Sequence, residues 1–350
     1  MSSGFQVGER RLGVGEPPFM IAEMSGNHNG ELDRALAIVD AVASTGAHAL
    51  KIQTYRADTI TIDADGPAFQ ITDSHGLWGG RTLFSLYEEA HTPWEWHEPI
   101  FARAREHGLI PFSSPFDRTA IDLLEDLGCE LYKVASAELV DLPLIGAMAA
   151  TGKPLILSTG MATLGEIDAA VAAARSAGGE RLALLACTSS YPAVPSDANL
   201  LSIPLLRDAF GVPVGLSDHT QGIGVSVAAI ALGASVIEKH VTLSSFDEGV
   251  DAEFSLSTEE FGDLCREGRA AHEAVRPARF GPRESEAELV RLRRSLYVVA
   301  DAHAGEEITE SNVRSIRPSG GLPPGELEGI LGKRFAQDVK RGTPLTRQLF

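Results

Sequence analysis

Eight short apolar runs separated by Ala-rich amphipathic stretches constrain this chain more than any other feature. They are PFMIAEMS (18–25), HALKIQTY (48–55), LIPFSSPF (109–116), LYKVASAE (131–138), LILSTGM (155–161), LALLACTS (182–189), VPVGLSDH (212–219) and ASVIEKHV (234–241). Runs of this kind read as strands covered on both faces, as in a parallel sheet flanked by helices. Segments such as DRALAIVDAVASTGA and GEIDAAVAAARSAG supply the helical spacing between them. Strand and helix alternating eight times predict an α/β chain of (β/α)8, or TIM-barrel, type. The competing doubly wound sheet carries GxGxxG after its first strand, and that motif is missing here.

The chain has 350 residues, enough for a large barrel and a small second unit. The barrel is expected over residues 1–280, closing with a helix over 258–275, and a further helix is expected over 220–234. The polar stretch 281–292 reads as a linker. Residues 293–350 read as a separate module of short β-like runs, with so few large apolar groups that it needs packing against something else. One connection is too long for a simple crossover: residues 56–97 hold the Gly- and aromatic-rich sequence TDSHGLWGGRTLFSLYEEAHTPWEWH. It is expected either to lie over the active face or to elaborate the surface.

A net charge of −18 argues against nucleic acid or an anionic membrane as partner. It also means that an anionic substrate must be held by a local basic cluster. No apolar stretch reaches the ~18–20 residues of a membrane span, and no secretory h-region precedes the first run. Three widely spaced cysteines, Cys129, Cys187 and Cys265, fit a reducing compartment, so a cytoplasmic location is expected.

In (β/α)8 enzymes the chemistry lies at the C-terminal strand ends. Run by run, those ends offer Glu23 (with Asn27 and His28 after it); Lys51 and Gln53; Ser113 and Ser114; Lys133, Ser136 and Glu138; Ser158 and Thr159; Thr188, Ser189 and Tyr191; Ser217, Asp218 and His219; and Glu238, Lys239 and His240. His219 and His240 end two neighbouring runs, which brings two imidazoles to one rim. Such a pair either caps strand ends or holds a divalent metal with positions left open. Two lysines among several hydroxyls describe a site for a small dianion such as phosphate. Lys51 and Gln53 alternate and so share a strand face. Glu23, inside an apolar run, needs either an ion-pair partner (Lys51 or Lys133) or a catalytic task.

The motifs AEMSGNHNG, LKIQTY, FSSPFD, YKVASAE, LSTGM, CTSSYP, GLSDHT and EKHVTL, in this order, resemble the sialic acid synthase family. The resemblance runs from about residue 8 to 347, and the W-G-R…Y…TPWEWH insertion with RSIRPSGGLPP is most similar to the pseudaminic acid branch. It implies a TIM barrel followed by an antifreeze-like (SAF) β-rich domain. In a homodimer, that domain is exchanged so that it caps the partner's site. It also implies condensation of phosphoenolpyruvate with an N-acetylated amino sugar, assisted by Mn2+ or by Mg2+ or Co2+ on His219 and His240. Lys51, Gln53, Ser114, Lys133, Ser136, Ser158, Ser189, Tyr191 and Ser217 match positions around phosphoenolpyruvate, Glu138 and Asp251 match acidic positions, and Arg317 matches an arginine that reaches the sugar from the other subunit. Glu23 is the candidate to orient or deprotonate water. Ser114 and Ser189 replace the Thr and Asn of other branches, and SSFDEGVDAEFS alters the usual setting of Asp251. The alternatives are a neuraminate or legionaminate synthase of the same chemistry, a Schiff-base aldolase using Lys133 or Lys51, and a non-catalytic glycan- or ice-binding protein.

Overall fold

The computed structural model describes residues 4–72 and 77–350, so residues 73–76 of the long insertion lie outside the described residues. The chain divides into two compact units, Met1–Arg276 and Pro277–Phe350.

The first unit is the expected barrel. After a short antiparallel hairpin, β1 (Phe5–Val7) and β2 (Arg10–Leu12), the eight runs form β3 (Phe19–Glu23), β4 (Ala49–Thr54), β5 (Ile110–Pro115), β6 (Tyr132–Val134), β7 (Leu155–Ser158), β8 (Leu182–Cys187), β9 (Val214–Asp218) and β10 (Val236–Thr242). Each is parallel to the next, and β10 pairs with both β9 and β3, closing the ring. Closure removes the unpaired edges that an open sheet must protect. A two-residue strand, β11 (Leu256–Ser257), extends the end of β10.

Helices α1 (Leu32–Ala43), α2 (Ala57–Ile60), α3 (Leu83–Ala90), α4 (His97–Glu106), α5 (Arg118–Asp126), α6 (Leu142–Ala150), α7 (Leu164–Ser176), α8 (Ser202–Phe210), α9 (Gly224–Ala231) and α10 (Thr258–Ala274) follow in order. Their sequences explain their limits. In α1, Ala35, Ile38, Val39 and Val42 recur at helical spacing and are the buried residues. Asp117 caps α5 by accepting from Ala120 N at 3.0 Å. Thr163 with Glu166, and Ser257 with Glu260, close reciprocal capping boxes on α7 and α10. Helix α9 is shorter than the expected 220–234 because Thr220–Gly222 form the turn that carries the chain away from β9.

The second unit is built on β12 (Ser295–Val298) and β13 (Val313–Ile316), paired antiparallel. Its core includes Leu296, Val298, Ile308, Val313, Phe335 and Leu345. The expected linker holds a 3-10 turn (Glu284–Glu286) and a one-turn helix, α11 (Ala287–Val290); a second, α12 (Leu327–Ile330), follows β13. Among the described residues no helix is long and apolar enough to cross a membrane.

Candidate active site

Strand alternation turns one polar set into the ring. Lys51 Nζ lies 2.8 Å from Glu23 Oε2 and 3.7 Å from Glu238 Oε1, and Lys133 Nζ is also 3.7 Å from Glu238 Oε1. All four side chains are at most 5 % exposed. The register dictates this meeting: Glu23 is opposite Lys51 on β4, and Glu238 is opposite Ser217 on β9. Gln53, two residues beyond Lys51, donates to Glu23 Oε1 and to Ser25 Oγ at 3.0 Å each. Ser217 Oγ donates to Glu238 Oε1 at 3.0 Å, and Lys51 reaches Ser114 Oγ at 3.5 Å.

These charges do not share a common state. Burial pushes the Glu23 carboxyl above its ordinary range, although Lys51 beside it opposes the shift. Burial also opposes the charge on Glu238, but Lys133 and Lys51 outweigh it and hold the carboxyl low. Lys133 is pushed down by burial, whereas Lys51 is held up by Glu23 and Glu238 in spite of burial. The set therefore places an ionised carboxylate, Glu238, between two lysines, beside a second carboxyl, Glu23, whose charge burial disfavours.

Beside the lysines, hydroxyls gather around a glycine. Ser136 Oγ accepts from Gly160 N at 3.1 Å, and a Cβ on Gly160 would collide with the hydroxyls of Ser136 and Ser189. Among the described residues the Oγ of Ser158, at the end of β7, is buried without a hydrogen-bond partner, as is Glu238 Oε2. Unmet buried polar atoms are costly, so several in one place point to a ligand. Glu138 sits in the turn after β6, where burial raises its carboxyl to about 6.

His219 and His240 face each other with ring centroids 5.3 Å apart. His219 Nδ1 donates to Thr188 O at 2.9 Å, an arrangement that leaves Nε2 as its lone-pair nitrogen. Burial drives His240 well below the ordinary imidazole range, and its Nδ1 is buried without a partner among the described residues. Asp251 Oδ2 lies 4.0 Å from that nitrogen and accepts from Gly26 N at 3.3 Å. Among the described residues no three His, Cys, Asp or Glu side chains form a metal-binding group. Burial disfavours the charge on His219, but Cys187 and the Thr188 carbonyl outweigh it and hold the imidazole above its ordinary range; with both rings deprotonated, the pair fits a divalent ion with positions open to oxygen ligands.

Aromatic rings wall the imidazoles. Between ring centroids, Tyr191 lies 4.5 Å from His219, Phe254 lies 4.9 Å from His240, and Trp78 lies tilted against Tyr191 at 5.5 Å. Trp78 Nε1 donates to Val250 O at 2.8 Å, which places this part of the long insertion at the imidazole rim. Of the sequence-derived candidates, Glu23, Lys51, Gln53, Ser114, Lys133, Ser217, His219, His240 and Asp251 lie on the inner strand ends or the adjoining loops, with Ser136, Ser158, Ser189, Tyr191 and Glu138 around β6–β8. Arg317 belongs to the second unit, exposed just past β13. Trp78 opens the W-G-R stretch of the insertion that the sequence singled out, whereas Phe254 had no recognisable signal there. Glu238 did, since it stands two residues before His240 and so shares its strand face.

Buried charge with bonding capacity left over is what a barrel enzyme presents to an anionic substrate, and a passive scaffold has no use for it. The chain belongs to the NeuB family, whose model matches residues 38–278, and a SAF domain matches residues 293–350. It is 40 % identical to the pseudaminic acid synthase of Helicobacter pylori over 95 % of this chain and 97 % of that one. It is 34 % identical to the N,N'-diacetyllegionaminic acid synthase of Campylobacter jejuni over 92 % of this chain and 96 % of that one. The crystal structure of N-acetylneuraminic acid synthetase from Leptospira borgpetersenii, in complex with citrate, superposes with a TM-score of 0.73 at 30 % identity, covering 83 % of this chain and 96 % of that one.

Proposed function

We infer that this chain makes pseudaminic acid, condensing phosphoenolpyruvate with 2,4-diacetamido-2,4,6-trideoxy-L-altrose and water and releasing phosphate. The observation that carries the chemistry is the buried cluster of Glu23, Lys51, Lys133 and Glu238 beside two imidazoles. The choice of sugar rests on 40 % identity to a pseudaminic acid synthase against 34 % to a legionaminic acid synthase.

Lys51 and Lys133 would neutralise the phosphate and carboxylate of phosphoenolpyruvate, with Ser136, held by the Gly160 amide, and Ser158 and Ser189 donating to its oxygens. Ser114, Ser217, Gln53 and Tyr191 complete that pocket, and Glu138 and Asp251 face the sugar. A divalent ion on His219 and His240, Mn2+ first among Mn2+, Mg2+ and Co2+, would supply Lewis acidity at the aldehyde carbon of the open-chain sugar. Carbon 3 of phosphoenolpyruvate attacks that carbon as the C=O electrons move to its oxygen, water adds at the cationic C2, and the proton that water gives up ends on the former aldehyde oxygen as a hydroxyl. Collapse of the adduct then breaks the C–O bond to phosphate. Glu23, its carboxyl raised by burial, takes the proton from that water.

The same reading places the enzyme in the cytoplasm, in keeping with three free cysteines. It also makes the active form a homodimer in which Arg317 of the partner subunit reaches the sugar. The domain limits that go with it are 1–280, 281–292 and 293–350.

Phosphate release measured with Mn2+ and single sugars tests the assignment. The altrose sugar alone should support turnover, and EDTA should abolish it. Turnover on 2,4-diacetamido-2,4,6-trideoxy-D-mannose or N-acetylmannosamine instead would move the specificity to a sibling synthase. Silence with all three would refute the synthase reading.

A further inference from the structure

Strands β9 and β10 hold a second buried ion pair, turned away from the substrate cluster and toward α9. Lys239 Nζ lies 2.9 Å from Asp218 Oδ2, with side-chain exposures of 0 % and 1 %. Asp218 Oδ1 accepts from the amide (2.9 Å) and the hydroxyl (2.8 Å) of Thr220, and Oδ2 also accepts from Ser226 Oγ on α9 at 2.6 Å. Lys239 Nζ donates to Thr220 O at 2.5 Å.

The placement of this network is informative. The β9–β10 ladder pairs Ile237 with Leu216, Glu238 with Ser217 and Lys239 with Asp218, and it stops there. His219 and His240 are the next residues on each strand, just beyond the last pair. Lys239, the residue before His240, grips both residues that flank His219: Asp218 through its carboxylate and Thr220 through its carbonyl. A well-packed apolar pair would hold α9 to the strands equally well, because buried ion pairs seldom add net stability over such a replacement. An apolar pair could not fix the direction of the backbone through the turn that carries His219.

We propose that Asp218 and Lys239 are positioning residues whose ion pair, locked to Thr220 and Ser226, fixes the separation and orientation of the two imidazoles and so sets the affinity for the divalent ion. The proposal rests on the metal reading above. Neither side chain touches the ion or the substrates, and both act through the backbone that carries His219 and His240.

The test is titration of the full-length protein with Mn2+, following free Mn2+ by electron paramagnetic resonance, for the wild type and for Lys239→Met, Asp218→Asn and Ser226→Ala. Folding is checked by circular dichroism. Lys239→Met and Asp218→Asn are expected to weaken Mn2+ binding by roughly 10–100-fold, the range found for groups that orient metal ligands. Phosphoenolpyruvate binding, measured calorimetrically without metal, should change by less than about twofold. In turnover the variants should need more Mn2+ and recover kcat when saturated. A folded Lys239→Met or Asp218→Asn with wild-type Mn2+ affinity overturns the proposal, even if its Tm has fallen. If those two do not fold, Ser226→Ala, which removes a single hydrogen bond, decides: several-fold weaker binding supports the proposal, and unchanged binding refutes it. A wild type that binds no Mn2+ refutes the metal reading itself, and this proposal with it.

Discussion

Two clusters of buried charge meet on β10, where Glu238 turns into the ring and Lys239, the next residue, turns out of it toward α9. The outer one, Asp218 with Lys239, is saturated: each carboxylate oxygen and the ammonium have partners at 2.5–2.9 Å. The inner one, Glu23, Lys51, Lys133 and Glu238, is under-bonded, with two of its ion pairs at 3.7 Å and Glu238 Oε2 without a partner. Burial alone does not distinguish the two, since both are nearly inaccessible. What distinguishes them is unused bonding capacity, which marks the inner cluster for ligands and the outer one for scaffolding.

Glu23→Gln gives the largest expected effect on this contrast. It should lower kcat by about 10²–10⁴-fold, the usual worth of a general base. Thermal stability should fall only modestly, because Lys51 keeps Glu238 at 3.7 Å as a second carboxylate partner. Near-native kcat would remove Glu23 from the chemistry. On the outer face the signs reverse. Lys239→Met leaves the Asp218 carboxylate buried without its cation and should cost about 3–5 kcal/mol in denaturant unfolding, while Asp218→Asn with Lys239→Met together should cost much less. Equal losses from the single and the double variant would contradict a coupled pair.

Ser158→Ala sharpens the comparison at lower amplitude. Its hydroxyl makes no hydrogen bond in the fold, so Tm should hold or rise slightly, whereas KM for phosphoenolpyruvate should rise about tenfold. A drop in Tm with KM unchanged would make the hydroxyl structural. The smallest effect concerns Glu138, whose carboxyl is raised by burial to about 6. A raised carboxyl favours the folded state fully below its unfolded pKa of about 4.5, and that contribution is lost as pH climbs through 6. The stability of Glu138→Gln relative to wild type should therefore improve between pH 5 and 7.5, by at most about 2 kcal/mol. A flat difference across that range would mean that Glu138 is solvated.

The barrel was legible because its strands are apolar on both faces and each is followed by a helical period; all eight runs became ring strands. Alternation likewise predicted that Lys51 and Gln53 share a face, and both now bond Glu23. The hairpin β1–β2 was not foreseen, since three-residue strands are too short to show a period. The strand-end residues could be listed from sequence, but sorting Glu238 inward and Lys239 outward requires the register of β9 against β10. Phe254 reaches the imidazoles, and Trp78 reaches Tyr191 and Phe254, from loops, where no periodicity indicates direction.

Glu23 and His240 are register partners across the seam that closes the ring, one on its first strand and the other on its last. During synthesis Glu23 must therefore wait for His240. Until β10 leaves the ribosome, β3 and β9 both present open edges that any passing strand can join. A nascent chain cannot turn over substrate by halves, so catalysis registers only molecules whose seam has formed. At saturating metal and in the dimeric state, specific activity thus reports the closed barrels in a preparation without a spectroscopic probe of folding.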